Sequence, residues 1–213
     1  MADVSRPAND AEIARMQGLL GDCMAAGAVG FSTGLYYPPN RAATIDEVVA
    51  LLEVAGRTGA IYTTHMRNEG DGVEDSLEES FETARRAGVE LVISHHKCEG
   101  RQNFGRSEKT LRRIDEARAR QPVGLDVYPY AASSTVLLPE FVDNVPRIIV
   151  TWSKPHPEAS GRDLAVVARE WGVSDREAAA RLAPAGAIYF RMDEADVQRI
   201  LAYPHTMVGS DGL

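Results

Sequence analysis

Apolar positions along this chain follow two rhythms in turn, one of helical period and one of short unbroken runs. Asn9 followed by Glu12 marks a helix start, and Ile13, Met16, Leu20 and Met24 then fall at helical spacing until Gly27. Residues 28–35 form a strand-type run that leads into Tyr36-Tyr37-Pro38-Pro39, which reads as a loop. Thr44 and Glu47 open a second helix with Val48, Leu51, Leu52 and Ala55 inside and Gly59 at its end. A strand to His65, a polar loop over 67–72 and a helix carrying Leu77, Phe81 and Ala84 follow, ending near Gly88. The cycle then repeats with a strand to His95, a loop over 98–106 and a helix from Ser107 carrying Leu111 and Ile114. Residues 123–130 read as another strand, with Pro129 at its end where a missing donor costs little.

Beyond that point the alternation loosens. Residues 147–152 look strand-like, Ser174 with Glu177 caps a short helix, 187–190 suggest a short strand and 193–202 a helix. A last strand runs to Asp211. The repeat of strand, loop, helix, glycine and strand, at about thirty residues, predicts parallel strands joined by right-handed helical crossovers. A (β/α) barrel fits best and a doubly wound open sheet second. Five main strands are too few for a barrel of eight, and no helix follows the strand to Asp211. The expectation is a single incomplete domain over 1–213, a piece of a longer polypeptide whose open sheet edges invite self-association.

Composition narrows the class. The 213 residues are 44% apolar and 25% charged, ordinary for a globular α/β domain. A net charge of -8, with Lys and Arg scattered, argues against nucleic-acid and anionic-membrane partners. No signal-peptide core and no run of membrane-spanning length is present. Two cysteines, Cys23 and Cys98, make no disulfide framework, and a reducing cytoplasmic setting follows. Cys23 reads as packing in the first helix; Cys98 reads as a free thiol beside a loop, or as a thiolate ligand near His95.

The chemistry gathers at strand ends, where parallel α/β folds place their sites. His65 and His95 end consecutive strands, which in a parallel sheet lie roughly 5 Å apart, close enough to share a zinc-like ion. The plainer alternative is a pair of strand-end histidines bonded to neighbouring carbonyls. Asp211, after Gly209-Ser210, reads as a ligand or general base, or as a helix cap. On a pleated strand His96 points away from His95, whereas Lys97 returns to its side as a partner for a substrate carboxylate or as a solvated cation. Gly30-Phe31-Ser32-Thr33-Gly34 matches the G-x-S-x-G nucleophile elbow in form, but Tyr37-Pro38-Pro39 opposes the helix that motif requires.

Several stretches resemble one family in order: Gly-Phe-Ser-Thr-Gly-Leu-x-Tyr-Pro-Pro, Thr-His-Met-Arg-Asn-Glu, Ile-Ser-His-His-Lys, Asn-Phe-Gly-Arg-Ser, Asp-Val-Tyr-Pro-Tyr, Pro-Ala-Gly-Ala-Ile-Tyr-Phe and Val-Gly-Ser-Asp-Gly. They are similar to the D-aminoacylase (N-acyl-D-amino-acid deacylase) branch of the amidohydrolase superfamily, from the first helix to the last residue. The resemblance implies a metal-dependent (β/α)8 barrel with a small β-sandwich, of which this chain would carry strands 4 to 8. It implies Zn2+ held by His65 and His95, with Asp211 as general base and acid. Lys97, Tyr128 and Arg147 would lie near the charged and acyl ends of an N-acyl amino acid, and Ser134, Tyr189 and Met192 would line its side-chain pocket. The family's His-x-His and bridging cysteine have no counterpart among these residues, and neither Cys23 nor Cys98 fits the latter's motif. The implied reaction is hydrolysis of N-acyl-D-amino acids to a carboxylate and a free D-amino acid, with cyclic amide hydrolysis of dihydropyrimidinase type, or an inactive fragment, as alternatives.

Overall fold

A computed structural model describes residues 3–211. The order of elements is α1 (Asp10–Ala25), β1 (Gly30–Gly34), α2 (Pro38–Arg41), α3 (Ile45–Gly56), β2 (Ile61–His65), α4 (Val73–Ala87), β3 (Glu90–Ile93), α5 (Ser107–Arg118) and β4 (Val123–Val127). Then come β5 (Ala132–Val136), β6 (Arg147–Ser153), α6 (Leu164–Trp171), α7 (Asp175–Leu182), β7 (Ala185–Phe190), α8 (Glu194–Leu201) and β8 (Thr206–Val208). The fold is α/β, with a parallel five-stranded sheet in the order β1-β2-β3-β4-β8 and a three-stranded antiparallel sheet in the order β5-β7-β6.

The predicted helices form for local reasons. Asn9 and Glu12 close a reciprocal capping box on α1, and Thr44 and Ser174 accept from the third amide of α3 and α7. In α4, Leu77, Phe81 and Ala84 fall on one buried face. Glu74 and Asp75 in its first turn and Arg85 and Arg86 in its last complement the helix dipole. Gly88 then turns left-handed at φ 67° and ends the helix, a conformation that costs other residues. Helices α3, α4 and α5 cover the parallel sheet through Leu52, Leu77 and Ile114, packed with Tyr62, Leu91 and Leu125. A second core lies under the antiparallel sheet, where Val150, Ala187 and Tyr189 meet Leu164, Ala178 and Leu182.

Three expectations are corrected. The stretch after Tyr37 is a single helical turn rather than a loop: Tyr37 itself is extended, as a residue before proline must be, but Pro38 and Pro39 occupy the first helical positions, where their fixed φ and missing N–H suit them. Ser32, in the motif the sequence reading set aside, sits exposed within β1, away from that turn. Strands β3, β4 and β8 stop at Ile93, Val127 and Val208, short of the residues expected to end them. Two elements went unpredicted: α6, although Leu164, Val167, Ala168 and Trp171 fall at helical spacing between Asp163 and Gly172, and β5, whose small, polar run becomes a strand by pairing with β7 from Ala132↔Phe190 to Val136↔Gly186. Cys23 is exposed instead of packed, because α1 packs chiefly on α3 and buries only Met24 among its own side chains.

Candidate functional site

The C-terminal edge of the parallel sheet brings the two predicted histidines together. His65 is the last residue of β2, where it pairs with Gly34 of β1. Chain direction changes after Ile93, so the alternation expected to carry His95 is replaced by a turn. His95 takes the left-handed conformation at φ 40°, uncommon for a residue with a side chain. The cost is offset from β4, where Asp126 Oδ1 accepts the His95 N–H at 2.7 Å and the Asp126 carbonyl accepts the His96 N–H at 2.7 Å. The ring centroids of His65 and His95 lie 4.4 Å apart at 72°. Tyr36 stacks on His65 at 5.3 Å and Tyr37 packs at 5.0 Å. His96 turns inward, fully buried, with Nε2 2.8 Å from Thr110 Oγ1.

Glu69, in the loop after β2, joins them. Its carboxylate accepts Lys97 Nζ at 2.8 Å on both oxygens and lies 3.3 Å from His65 Nε2 and 3.2 Å from His95 Nδ1. Burial alone would raise its pKa, but the Lys97 ammonium and the two imidazoles outweigh it and hold Glu69 ionised well below the usual carboxylate range. Burial pushes His65 down to about 4, which keeps it a neutral imidazole at pH 7. His65, Glu69 and His95 are the group of ligand-type side chains close enough to enclose one ion among the described residues. Two imidazoles beside a carboxylate make a nitrogen–oxygen donor set that suits zinc. His65 Nε2 is sealed from solvent with no partner of hydrogen-bond geometry, and such an atom is costly to leave unsatisfied.

A cleft runs outward from this cluster in two compartments. The narrow inner one is lined by His65, Glu69, Lys97, Tyr128, Arg191 and Asp211, among others. The outer one, about 680 Å³, shares Tyr128, Ser134 and Asp211 with it and adds Tyr130, Ile188 and Phe190. Tyr128 Oη is buried without a partner, and burial, with Glu69 and Glu99 nearby, raises its pKa so that it stays a phenol. Asp211 is exposed at φ 47° where β8 has ended.

The remaining predicted residues fall in different places. Lys97 is in the site, but its ammonium is bound to Glu69 and lies 2.7 Å from His95 Nδ1 rather than facing solvent. Ser134 lines both compartments. Arg147 is not among the lining residues: it begins β6, pairs with Asp163 at 3.3 Å and lies over the Phe190 ring. Tyr189 points the opposite way from Ile188 and Phe190, as strand alternation requires, and donates to the Val136 carbonyl at 2.9 Å inside the second core. Met192 packs behind Tyr128 and Val197. Cys98 is buried in the first core with its thiol pushed up to about 12, and it stands outside the ion-sized cluster.

Sequence reasoning assigned no role to Glu69, Glu99 or Arg191. Glu69 lies within the Thr-His-Met-Arg-Asn-Glu stretch, four residues after a histidine at a strand end, which was its available signal. Arg191 Nε is 3.1 Å from Glu99 Oε1, and the guanidinium donates to Ser133 Oγ at 3.2 and 3.1 Å. Burial raises the Glu99 pKa against the opposing pull of Arg191. Arg191 follows a strand and Glu99 lies in the polar loop after Cys98, and neither belongs to a motif that marks it in the sequence.

No family model matches the chain. It is 53% identical over all 213 of its residues to a D-aminoacylase of Alcaligenes xylosoxydans xylosoxydans and spans 44% of that protein. The crystal structure of a D-aminoacylase superposes on the whole chain with a TM-score of 0.96 at 50% identity, the match covering 45% of that structure. An N-acyl-D-glutamate deacylase from Bordetella bronchiseptica, solved with zinc and a phosphonate inhibitor that mimics the tetrahedral intermediate, gives the same TM-score of 0.96 and 50% identity over 45% of its chain. These likenesses run the full length of the chain, which is similar throughout to D-aminoacylase and N-acyl-D-glutamate deacylase and spans under half the length of the relatives it matches.

Proposed function

We propose that this chain carries part of the active site of a zinc-dependent hydrolase of N-acyl-D-amino acids, and that its parallel sheet is an arc of a (β/α)8 barrel. The strand order supports the arc, because β1 to β4 and then β8 follow one another without the reversal a doubly wound sheet contains. The observation that carries the function is the pairing of His65 with His95 at the sheet edge, at the inner end of a cleft that also holds Tyr128 and Asp211. The zinc bound by the Bordetella bronchiseptica relative supports the choice of ion.

His65 and His95 would hold the ion, which supplies Lewis acidity toward the acyl carbonyl when bound. Asp211 takes a proton from the attacking water and returns it to the departing nitrogen, so that water and amide become a carboxylate and an amine. The Tyr128 phenol, protonated and unpartnered, donates a hydrogen bond to the anionic substrate. Lys97 places positive charge beside the same compartment, 5.5 Å from the Tyr128 ring centroid. Ser134 borders the path between the compartments, and Met192 supports Tyr128 from behind. Arg147 and Tyr189 act through the antiparallel layer, by flanking Phe190 and by holding β7 in place.

His95→Ala in the intact protein abolishes both zinc retention, read by metal analysis after dialysis, and release of amine from N-acyl-D-amino acids. A variant with normal turnover would defeat the reading. Activity on cyclic imides exceeding that on N-acyl amino acids would redirect it to cyclic amide hydrolysis.

A further inference from the structure

Glu69 has a use beyond neutralising Lys97. A carboxylate offers about four lone-pair directions. Here four contacts claim them: Oε1 faces Lys97 Nζ and His95 Nδ1, and Oε2 faces Lys97 Nζ and His65 Nε2. The side chain is 2% exposed, and an ammonium at 2.8 Å repels a second cation from the same oxygens. Each imidazole thus turns one nitrogen to Glu69. His65 Nδ1 and His95 Nε2 make no hydrogen bond to protein among the described residues, and His65 Nε2 meets the carboxylate at 3.3 Å without hydrogen-bond geometry.

We infer that Glu69 is a positioning carboxylate shared by a metal-binding imidazole pair: it faces the outer nitrogens of both rings, at 3.3 Å from His65 and 3.2 Å from His95, as the acceptor available to their N–H groups, is not itself a ligand, and leaves His65 Nδ1 and His95 Nε2 as the donor atoms. This rests on the zinc-hydrolase reading above. An imidazole that gives one nitrogen to a metal carries its proton on the other, and that proton needs an acceptor. One carboxylate reaching two rings on neighbouring strands sets their separation as well as their tautomers. The same logic redefines Lys97. Its ammonium lies 2.7 Å from His95 Nδ1, a contact that requires Nδ1 to accept. A ring bound through Nε2 must instead donate from Nδ1, and Glu69 Oε1 is the acceptor within reach. Lys97 then remains the counter-charge that keeps a buried carboxylate ionised.

The test uses Co2+ as the probe in the intact protein, with affinity measured by chelator competition and coordination by the visible spectrum. Glu69→Gln is expected to lower Co2+ affinity about 10- to 100-fold while leaving the band positions unchanged, since both nitrogen donors stay. Unchanged affinity would overturn the inference. So would displaced bands, which would make Glu69 a ligand. Because Glu69→Gln leaves Lys97 buried and unpaired, the double variant Glu69→Gln/Lys97→Met removes both charges together. It is expected to keep the far-ultraviolet circular dichroism of the parent with the same affinity loss; parental affinity in the folded double variant would also overturn the inference. His95→Ala separates the two levels: if it keeps the ion, the zinc reading fails, whereas if it loses the ion and Glu69→Gln does not, only the role of Glu69 fails.

Discussion

The two sheets of this molecule handle polar chemistry in opposite ways. The parallel sheet ends in a buried polar cluster: Glu69 lies within 2.8–3.3 Å of Lys97, His95 and His65, Lys97 also meets His95, and His65 Nε2 alone is left without hydrogen-bond geometry within the cluster. The antiparallel sheet presents Ile188 and Phe190 to the outer compartment and keeps Tyr189 for its own core. Arg191, just past the end of β7, is the charge this layer sends to the inner compartment. Low dielectric strengthens a satisfied polar network and penalises a broken one, so the parallel edge suits an ion and a reacting group. An apolar wall recognises size and shape with little charge specificity. On the proposed function, the difference teaches that chemistry and selectivity would come from separate stretches of chain whose compartments share Tyr128 and Asp211.

That division can be broken in measurable ways. The largest effect is expected from Tyr189→Ala, which empties a fully buried site in the second core and should cost about 3–5 kcal/mol in denaturant unfolding. An unmoved midpoint would mean that this core does not hold the antiparallel layer. Phe190→Ala should act on the substrate instead. KM for an N-acyl amino acid with a large apolar group should rise about tenfold, within the range for trimming an apolar pocket, with kcat and zinc content kept. Loss of zinc in that variant would show that the two regions are not separable. The smallest effect is chemical and sharpens the boundary of the first core. Cys23, exposed, should react at once with a thiol reagent near pH 8, whereas Cys98, buried with its thiol pushed up to about 12, should react only on unfolding. Two fast equivalents by mass spectrometry would contradict the closed core.

Much of this was legible from the chain alone, because it depends on neighbours in sequence. Asn9 with Glu12, Thr44 with Glu47 and Ser174 with Glu177 cap helices within four residues, and the five main strands follow from short apolar runs. His65 and His95 could be expected at one edge because consecutive parallel strands end together, Thr64 beside Ile93, although the turn after β3 is what carries His95 to His65. The tertiary structure decided the rest. His95 and Lys97 meet through a left-handed turn that Asp126 stabilises from another strand, not through the pleat that the sequence suggested. Glu69 and Arg191 gain meaning only when loops from distant segments fold over one compartment, and Arg147 is left outside it. Local patterns record which residues can cap, pair or bury; they do not record which loops will share a cavity, because that depends on contacts between residues far apart in the chain, such as Glu69 with Lys97 and Glu99 with Arg191.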